Sequence, residues 1–300
     1  MTEKPGRATA AANGPLATSV APVEAPVVTA PEPHAVDAYT AAQAAQDATA
    51  RRSQRTFRIW RGDAGAGEFV DFTTDVTEGM VVLDAVHEIQ AKQANDLAVR
   101  WNCKAGKCGS CSAEINGSPK LMCMTRLDQL PADKPITVEP MRAFPHLRDL
   151  VTDVSWNFRV KRQIQPFTPR KPDAPDGTWR MDQRDIDRVQ EFRKCIECFL
   201  CQDVCHVLRD HHKHDEFIGP RFLVHVAALE MHPLDTQDRV PELRKAHGIG
   251  YCNITRCCTK VCPEHITITE NAIIPLKERV VDEFFDPIGK LVKIFSRRKA

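Results

Sequence analysis

The sequence predicts an α+β protein in which a small mixed domain precedes an all-α domain. Short β-type runs and one helical stripe occupy residues 57–138, a proline-rich connection follows at 163–179, and apolar residues at helical spacing dominate beyond it. All 12 cysteines lie between Cys103 and Cys262, so both domains contain them. We place the domain boundaries as follows: an extension at 1–53, the mixed domain at 54–145 and the helical domain at 146–300.

Composition and charge exclude several classes of protein. The 300 residues carry 41 Lys and Arg against 40 Asp and Glu, a balance that argues against a nucleic-acid binder, which normally has a strongly basic domain. No apolar run reaches the roughly 18 residues of a membrane span, and the first residues lack the apolar stretch of a secretory signal. We therefore expect the cysteines to be metal ligands rather than disulfide partners.

The first 50 residues differ in composition from the rest. They contain 16 Ala, 6 Pro, one aromatic residue (Tyr39) and no cysteine. Such a segment buries too little apolar surface to offset its ordering entropy, so we expect residues 1–53 to be disordered. A tail without function and a docking arm are both compatible with this composition.

The elements of the mixed domain follow from short-range patterns. Two β-type runs, 57–60 and 69–72, flank a turn-rich segment and predict a hairpin. A helix is predicted by apolar residues at helical spacing: Val81, Val82, Ala85, Val86 and Ile89. Three further strands are predicted, the first two around the turn Asn116-Gly117: 111–115, 121–122 and 136–138.

Helical patterns account for most of the second domain. Pro220 suits the start of a helix that Pro233 ends, and residues 239–247 form a further candidate with Gly248 placed to end it. An apolar stripe leads into the second cysteine group: Ile186, Val189 and Phe192. The stretch 284–299 combines apolar and basic residues, which suits either a terminal helix packed on its own domain or contact with an anionic membrane or anchor subunit.

The first cysteine group has the spacing of plant-type ferredoxins. Three thiols stand at x4 and x2 intervals and a fourth follows after eleven intervening residues, which predicts a [2Fe–2S] cluster held by Cys103, Cys108, Cys111 and Cys123. Soft thiolates suit iron bridged by sulfide, and Gly106 and Gly109 allow the loop to adopt positive φ angles. Structural zinc is the alternative, although zinc usually takes two thiolates from each of two knuckles.

The second and third groups resemble each other. Cys195, Cys198, Cys201 and Cys205 form a cubane ferredoxin run, and the last run repeats it with Thr255 where its second cysteine would stand. In two-cluster ferredoxins the fourth cysteine of each run binds the other cluster. This rule assigns a [4Fe–4S] cluster to Cys195, Cys198, Cys201 and Cys262, and a [3Fe–4S] cluster to Cys205, Cys252 and Cys258.

One cysteine is left over by this assignment. Cys257 breaks the x2/x3 rhythm of the last run. The sequence favours a small buried apolar side chain there, as is usual for a free cysteine. A shifted fourth ligand of the third cluster is the alternative.

These motifs resemble the iron–sulfur subunits of succinate dehydrogenases and fumarate reductases between about residues 56 and 285. The resemblance lies in the phrases RWNCKAGKCGSCSAEING, RDLVTDVS, CIECFLCQDVC and NITRCCTKVCPEHI. It implies a plant-type ferredoxin (β-grasp) domain followed by an all-α, cubane-ferredoxin-like domain. It also implies a flavoprotein partner with FAD, a membrane anchor subunit with a quinone, and a peripheral place on the cytoplasmic face of the cell membrane. Electrons would pass from flavin through the three clusters to quinone.

The quinone end departs from the family pattern. Many members have Pro after the last cysteine of the middle run, with Trp nearby, and His after the first cysteine of the last run. Here His206 and Asn253 stand at the two positions after cysteine, and Arg209 lies in the aromatic region. We keep His206, Asn253 and Thr255 as candidates near the quinone and the third cluster. Other histidines nearby are more typical of a solvated turn: His211, His212 and His214.

Two other functions compete with this one. A similar iron–sulfur subunit could serve another flavin dehydrogenase or a disulfide-type reductase. A cysteine-rich zinc scaffold for protein or nucleic-acid binding belongs to a different class, and its protein would be colourless rather than brown.

Overall fold

The computed structural model describes residues 53–287, which belong to one compact unit. The expected extension at 1–53, except for its last residue, lies outside the described residues. So does the part of the C-terminal amphipathic stretch beyond residue 287.

A seven-stranded sheet forms the first region. Its strands are β1 Ser53–Asp63, β2 Ala66–Val76, β3 Ser112–Ile115, β4 Ser118–Leu121, β5 Ile136–Glu139, β6 His146–Arg148 and β7 Val151–Thr152. The order is β4-β3-β5-β1-β6-β7, with β2 also paired to β1. β1 and β2 form the predicted hairpin in antiparallel register, with Phe57 opposite Phe72, while β5 runs parallel to β1. The predicted strands at 111–115 and 136–138 are confirmed as β3 and β5. The strand predicted at 121–122 lies earlier, at Ser118–Leu121, and Met122 begins a 3₁₀ turn.

The predicted helix of the mixed domain is α1, Val82–Lys92. Its apolar residues are buried in one core with the sheet, because positions three and four apart share a helix face. Val82 links the helix to the neighbouring loop by donating its backbone N–H to the carbonyl of Thr125 at 2.9 Å. This hydrogen bond fixes the start of α1 beside the loop that carries Cys123.

The sheet extends beyond the expected boundary at residue 145. Arg148 of β6 pairs with Asp63 at the end of β1, and β7 follows at the sheet edge. The buried carboxylate of Asp149 accepts backbone N–H groups from Gly62 at 3.0 Å and Ala98 at 2.7 Å, which fixes this edge. β6 and β7 are short and polar, and they show no alternation of apolar and polar residues. The sequence therefore did not predict them.

The second region is helical. Its helices are α2 Ser155–Gln163, α3 Gln183–Gln190, α4 Leu200–Asp203, α5 His206–Arg209, α6 Gly219–Glu230, α7 Val240–Lys245, α8 Cys257–Lys260 and α9 Ile274–Phe284. A π-helical turn, Ile268–Ile273, precedes α9. The predicted helices at Pro220 and at 239–247 are confirmed as α6 and α7. Gly248 follows α7 with φ +59°, and a Cβ there would collide with the carbonyl of Glu216.

The two regions meet at the cysteine loops. Cys198 and Leu200 are buried in the core of the sheet region, although they belong to the helical half of the chain. The Ser112 hydroxyl donates to the carbonyl of Cys198 at 2.9 Å. A Cβ on Gly109 would lie 2.5 Å from the Cα of Cys198. The first cysteine loop therefore rests directly on the second.

Candidate iron–sulfur cluster sites

The first cysteine loop turns its backbone N–H groups towards sulfur. Ala105 and Lys107 both donate to the Cys103 thiol, at 3.4 and 3.3 Å. Positive φ angles at Lys104 and Gly106 create this turn. Successive N–H groups in such a turn form a concavity for anions, as in many iron–sulfur sites. The loop is thus built to stabilise thiolates.

The four thiols of the first group differ in environment. Cys103 is exposed and Cys108 half-buried, whereas Cys111 and Cys123 are buried. Burial raises the pKa of Cys111 to about 12. At Cys108 burial is outweighed by hydrogen bonds from Ser110 and the Cys103 backbone, which lower its pKa to about 6. The backbone N–H of Cys123 donates to the Cys111 thiol at 3.5 Å, so the distant fourth cysteine joins the group.

The second group lines a cavity. Cys195, Cys198 and Cys201 line it together with Cys262 from the last run, and the other lining side chains are mostly apolar. Burial raises the pKa of Cys198 to about 12 and that of Cys201 well above its ordinary value. A metal centre that binds here has to displace the thiol protons. Among residues 53–287, no group of three or more His, Cys, Asp and Glu side chains has the arrangement that holds a single metal ion.

The third group lines a separate cavity with Cys205, Cys252 and Cys258. Thr255 lines it as well, at the position where the run lacks a cysteine. Burial raises the pKa of Cys205 to about 11. The thiol of Cys258 lies 3.5 Å from the hydroxyl of Thr269, on the π-helical turn.

Cys257 also lines this third cavity, and it is half-buried. Its thiol is 3.3 Å from the Thr255 hydroxyl. Hydrogen bonding with the neighbouring Cys258 thiol lowers the pKa of Cys257 to about 5. Cys257 is therefore not the fully buried apolar side chain that the sequence favoured.

The backbones of the two cubane runs repeat each other. Glu197 and Phe199 have positive φ angles of 56° and 62°, and Ile254 and Arg256 repeat them at 59° and 64°. A short helix starts directly after each pair, at Leu200 and at Cys257. Positive φ is unfavourable for these residue types, most of all for a β-branched one, so its repetition marks equivalent positions. On this register Thr255 corresponds to Cys198, Cys258 to Cys201 and Cys257 to Leu200.

The candidate quinone-side residues come together around the third cavity. His206 lines it, and its Nε2 lies 3.3 Å from the Asn253 side-chain nitrogen. Arg209 turns away instead, and its guanidinium pairs with the buried carboxylate of Glu114 on β3 at 3.0 Å. Of the remaining histidines, His211 and His212 are exposed, whereas His214 packs edge-on against Trp156.

The sequence interpretation missed Arg221, which reaches the second cavity from α6. It also missed the partner of Arg221, Glu197, which stands between two cysteines. Their ion pair joins Nη2 of Arg221 to Oε1 of Glu197 at 2.6 Å. A glutamate within a cysteine run was the one available signal, because no local pattern pairs it with a residue 24 positions away.

Comparison with known proteins places this arrangement in a family. Residues 56–159 match the 2Fe-2S iron-sulfur cluster binding domain, and residues 191–266 match the 4Fe-4S dicluster domain. The fumarate reductase iron-sulfur subunit of Mycobacterium tuberculosis is 34% identical over 209 residues, which cover 67% of this chain and 81% of that protein. The chain belongs to the family of succinate dehydrogenase and fumarate reductase iron–sulfur subunits.

Two further relatives support this family. The succinate dehydrogenase iron-sulfur subunit of Paracoccus denitrificans is 27% identical, covering 76% of this chain and 88% of that protein. A solved structure, described as the Mycobacterium smegmatis Sdh1 complex in the apo form, contains a chain that is 59% identical. It aligns with a TM-score of 0.76 over 79% of this chain and 100% of that chain.

As a succinate dehydrogenase/fumarate reductase iron–sulfur subunit, the chain has [2Fe–2S] and [4Fe–4S] domains and an electron-transfer role. Membership in this family excludes the alternative function of a zinc-binding scaffold. The donor sets fit the [2Fe–2S] and [4Fe–4S] clusters. In the first loop, backbone N–H groups point at the Cys103 sulfur. At the second site, four cysteine thiols line a mostly apolar cavity. Among residues 53–287, no helix combines the length and apolarity needed to cross a membrane.

Proposed function

We propose that this chain relays electrons between the FAD of a flavoprotein subunit and a membrane quinone through three clusters. The first, [2Fe–2S], is held by Cys103, Cys108, Cys111 and Cys123. The second, [4Fe–4S], is held by Cys195, Cys198, Cys201 and Cys262. The third, [3Fe–4S], is held by Cys205, Cys252 and Cys258. This proposal rests mainly on the repeated backbone conformation of the two cubane runs, because the repeat makes Thr255 the equivalent of Cys198.

The order of the three sites follows from their contacts. Gly109, between two ligands of the first site, touches Cys198 of the second. The second and third sites share one short segment, because Cys201 lies in α4 and Cys205 follows two residues after the end of that helix. The first and third sites are thus joined through the second.

When bound, each cluster accepts and passes on one electron. The chain itself supplies thiolates, N–H groups directed at sulfur, and apolar side chains that keep water from the second and third sites. The dicarboxylate chemistry between succinate and fumarate belongs, on this proposal, to the flavoprotein partner. Here the chain contributes positioning and electrostatics alone.

The proposed acceptor end lies at the third cavity. His206 and Thr255 line this cavity, and the Asn253 side chain lies 3.3 Å from the His206 ring, so a quinone oxygen could meet a hydrogen-bond donor here. A membrane anchor subunit would hold this end at the cytoplasmic face of the cell membrane. The names of the relatives and the cluster order support this placement.

Iron counting on the anaerobically purified complex tests the ligand sets. We expect 2 + 4 + 3, or about nine, iron atoms per chain from the three cluster types. Zinc in place of iron, or four irons at the third site, would contradict the assignment.

The matched variants Cys257→Ser and Cys258→Ser test the register of the last run. We expect Cys258→Ser to lose the [3Fe–4S] signal in paramagnetic resonance spectra and Cys257→Ser to keep all three signals. The reverse outcome would show that Cys257, which lines the same cavity, is the ligand.

A further inference from the structure

A buried arginine lines the second cysteine cavity. Arg221 lies in the first turn of α6, and its side chain is 6% exposed. It lines the same cavity as the four thiols assigned to the [4Fe–4S] cluster. Its Nε atom is buried and has no hydrogen-bond partner among the described residues. Such an N–H group normally has a partner, so its position at a cavity that fits a cluster requires an explanation.

Arg221 is held at two points, one on its guanidinium and one on its backbone. Its Nη2 donates to Oε1 of Glu197 at 2.6 Å. The backbone N–H of Arg221 donates to the side-chain oxygen of Gln202, the residue after Cys201, at 3.2 Å. Arg221 is therefore tied to both halves of the cysteine run that surrounds the cavity. This is the arrangement expected of a preorganised charge.

Two cations face the Glu197 carboxylate, whereas the acidic side chain that lines the cavity itself, Glu264, is paired with Lys107 at 3.0 Å. Glu197 also accepts a hydrogen bond from Lys161 at 2.5 Å, so one carboxylate faces two cations. Burial opposes its ionisation, but hydrogen bonds from Lys161 and the charge of Arg221 outweigh burial and hold the pKa of Glu197 below its ordinary value. His225, one turn along α6, adds no charge near neutral pH, because burial and Arg221 lower its pKa to about 4.

We propose that Arg221 sets the reduction potential of the second cluster by placing a fixed positive charge and its Nε–H donor against the cluster sulfurs. Reduction adds one negative charge to the cluster. A cation in a low-dielectric cavity favours the reduced form, and an N–H donated to sulfur acts in the same direction. Arg221 thus raises the potential of the middle site of the relay. The proposal rests on the assigned ligand set Cys195, Cys198, Cys201 and Cys262.

Redox titration of the purified complex, followed by paramagnetic resonance, tests the proposal. We expect Arg221→Met to shift the [4Fe–4S] reduction equilibrium at least tenfold towards the oxidised form, which is about 59 mV for one electron. Arg221→Lys keeps the charge without Nε–H, so its shift should be smaller. The potentials of the other two clusters should not change in either variant.

Lys161→Met is the matched control. It removes one cation from the same carboxylate, but Lys161 does not line the cavity and its side chain is 41% exposed. Its shift should be smaller than that of Arg221→Met, because solvent screens the exposed charge. A shift as large as that of Arg221→Met would overturn a specific role for Arg221.

The outcomes separate this proposal from the cluster assignment. An intact [4Fe–4S] signal with the wild-type potential in Arg221→Met would overturn the role of Arg221. If Arg221→Met fails to hold the cluster, the same titration is made on Arg221→Gln, which is neutral but polar, and the same outcomes apply to it. A [4Fe–4S] signal that survives Cys262→Ser would instead overturn the ligand set. A wild-type potential in Arg221→Lys would overturn the role of Nε–H.

Discussion

The two cysteine-rich regions of this chain are built in different ways. The first cysteine group lies within residues 103–123, and its loop is partly exposed. The second and third cavities are each lined by cysteines from two runs that repeat at an interval of 57 residues. Four of these thiols are buried: Cys198, Cys201, Cys205 and Cys258. A local loop can form a cluster site from chain spacing alone, whereas interlocked runs need the helical core to bring them together.

The largest effect expected from this comparison is the loss of a ligand that links the two runs. Cys262→Ser should abolish the [4Fe–4S] signal and remove about four irons, because Cys262 completes a site otherwise built from the other run. It should also lower the thermal midpoint of the complex, since Cys262 packs against the helical core. Cys103→Ser, in the exposed loop, should remove only the [2Fe–2S] signal with a smaller change in midpoint. Equal midpoint changes would contradict the difference between the regions.

The contact between the two regions gives the next prediction. Gly109 has φ +69°, and a Cβ would lie 2.5 Å from the Cα of Cys198, so Gly109→Ala should separate the loops. We expect a loss of unfolding free energy above the ~1–2 kcal/mol cost of a left-handed residue, and slower reduction of the second cluster by the first in rapid-freeze spectroscopy.

Gly117→Ala is the control for this prediction. Gly117 has nearly the same φ, +70°, but no atom lies within 4 Å of the point that a Cβ would occupy. Gly117→Ala should lose unfolding free energy because of its left-handed backbone, but reduction of the second cluster by the first should keep its wild-type rate. A kinetic defect of the same size in both variants would exclude close approach as the cause.

Thr255 offers a way to make the two cubane runs more alike. Thr255→Cys should allow a fourth thiolate at the third site, so the iron content should rise from about nine to about ten. The four-thiolate cluster carries more negative charge, so its potential should fall and quinone reduction should slow. Thr255→Ser, which adds no thiol, is the control. An unchanged three-iron signal with normal turnover in the cysteine variant would contradict the register.

The smallest expected effect concerns the buried ion pair between the regions. Burial raises the pKa of Glu114 to about 7, although Arg209 lies 3.0 Å away. Because the folded protein holds this proton above the ordinary glutamate pKa of 4.5, this contribution to stability is present below pH 4.5 and declines as pH rises towards 7. Glu114→Gln should flatten the decline of the thermal midpoint between pH 5 and 7. Glu139→Gln, at the more exposed neighbour, should preserve it.

Much of the first region could be predicted from the sequence. The hairpin, α1 and the strands around Asn116-Gly117 follow from local periodicity and turn residues, which depend on neighbours a few positions apart. The strands β6 and β7 do not follow from local patterns. Asp149 fixes them by accepting hydrogen bonds from backbone N–H groups 87 and 51 positions away.

For the sites, the sequence by itself determined the cysteine spacing and the gap at Thr255, and it predicted the crossed assignment of ligands. Ligand spacing is local because a loop must wrap around a cluster within a few residues. Only the tertiary structure decided that Cys257 lines the third cavity, that Gly109 touches Cys198 and that Arg221 reaches the second cavity. Burial and charge at a cavity depend on side chains that meet across the fold, and no local pattern in the chain encodes those meetings.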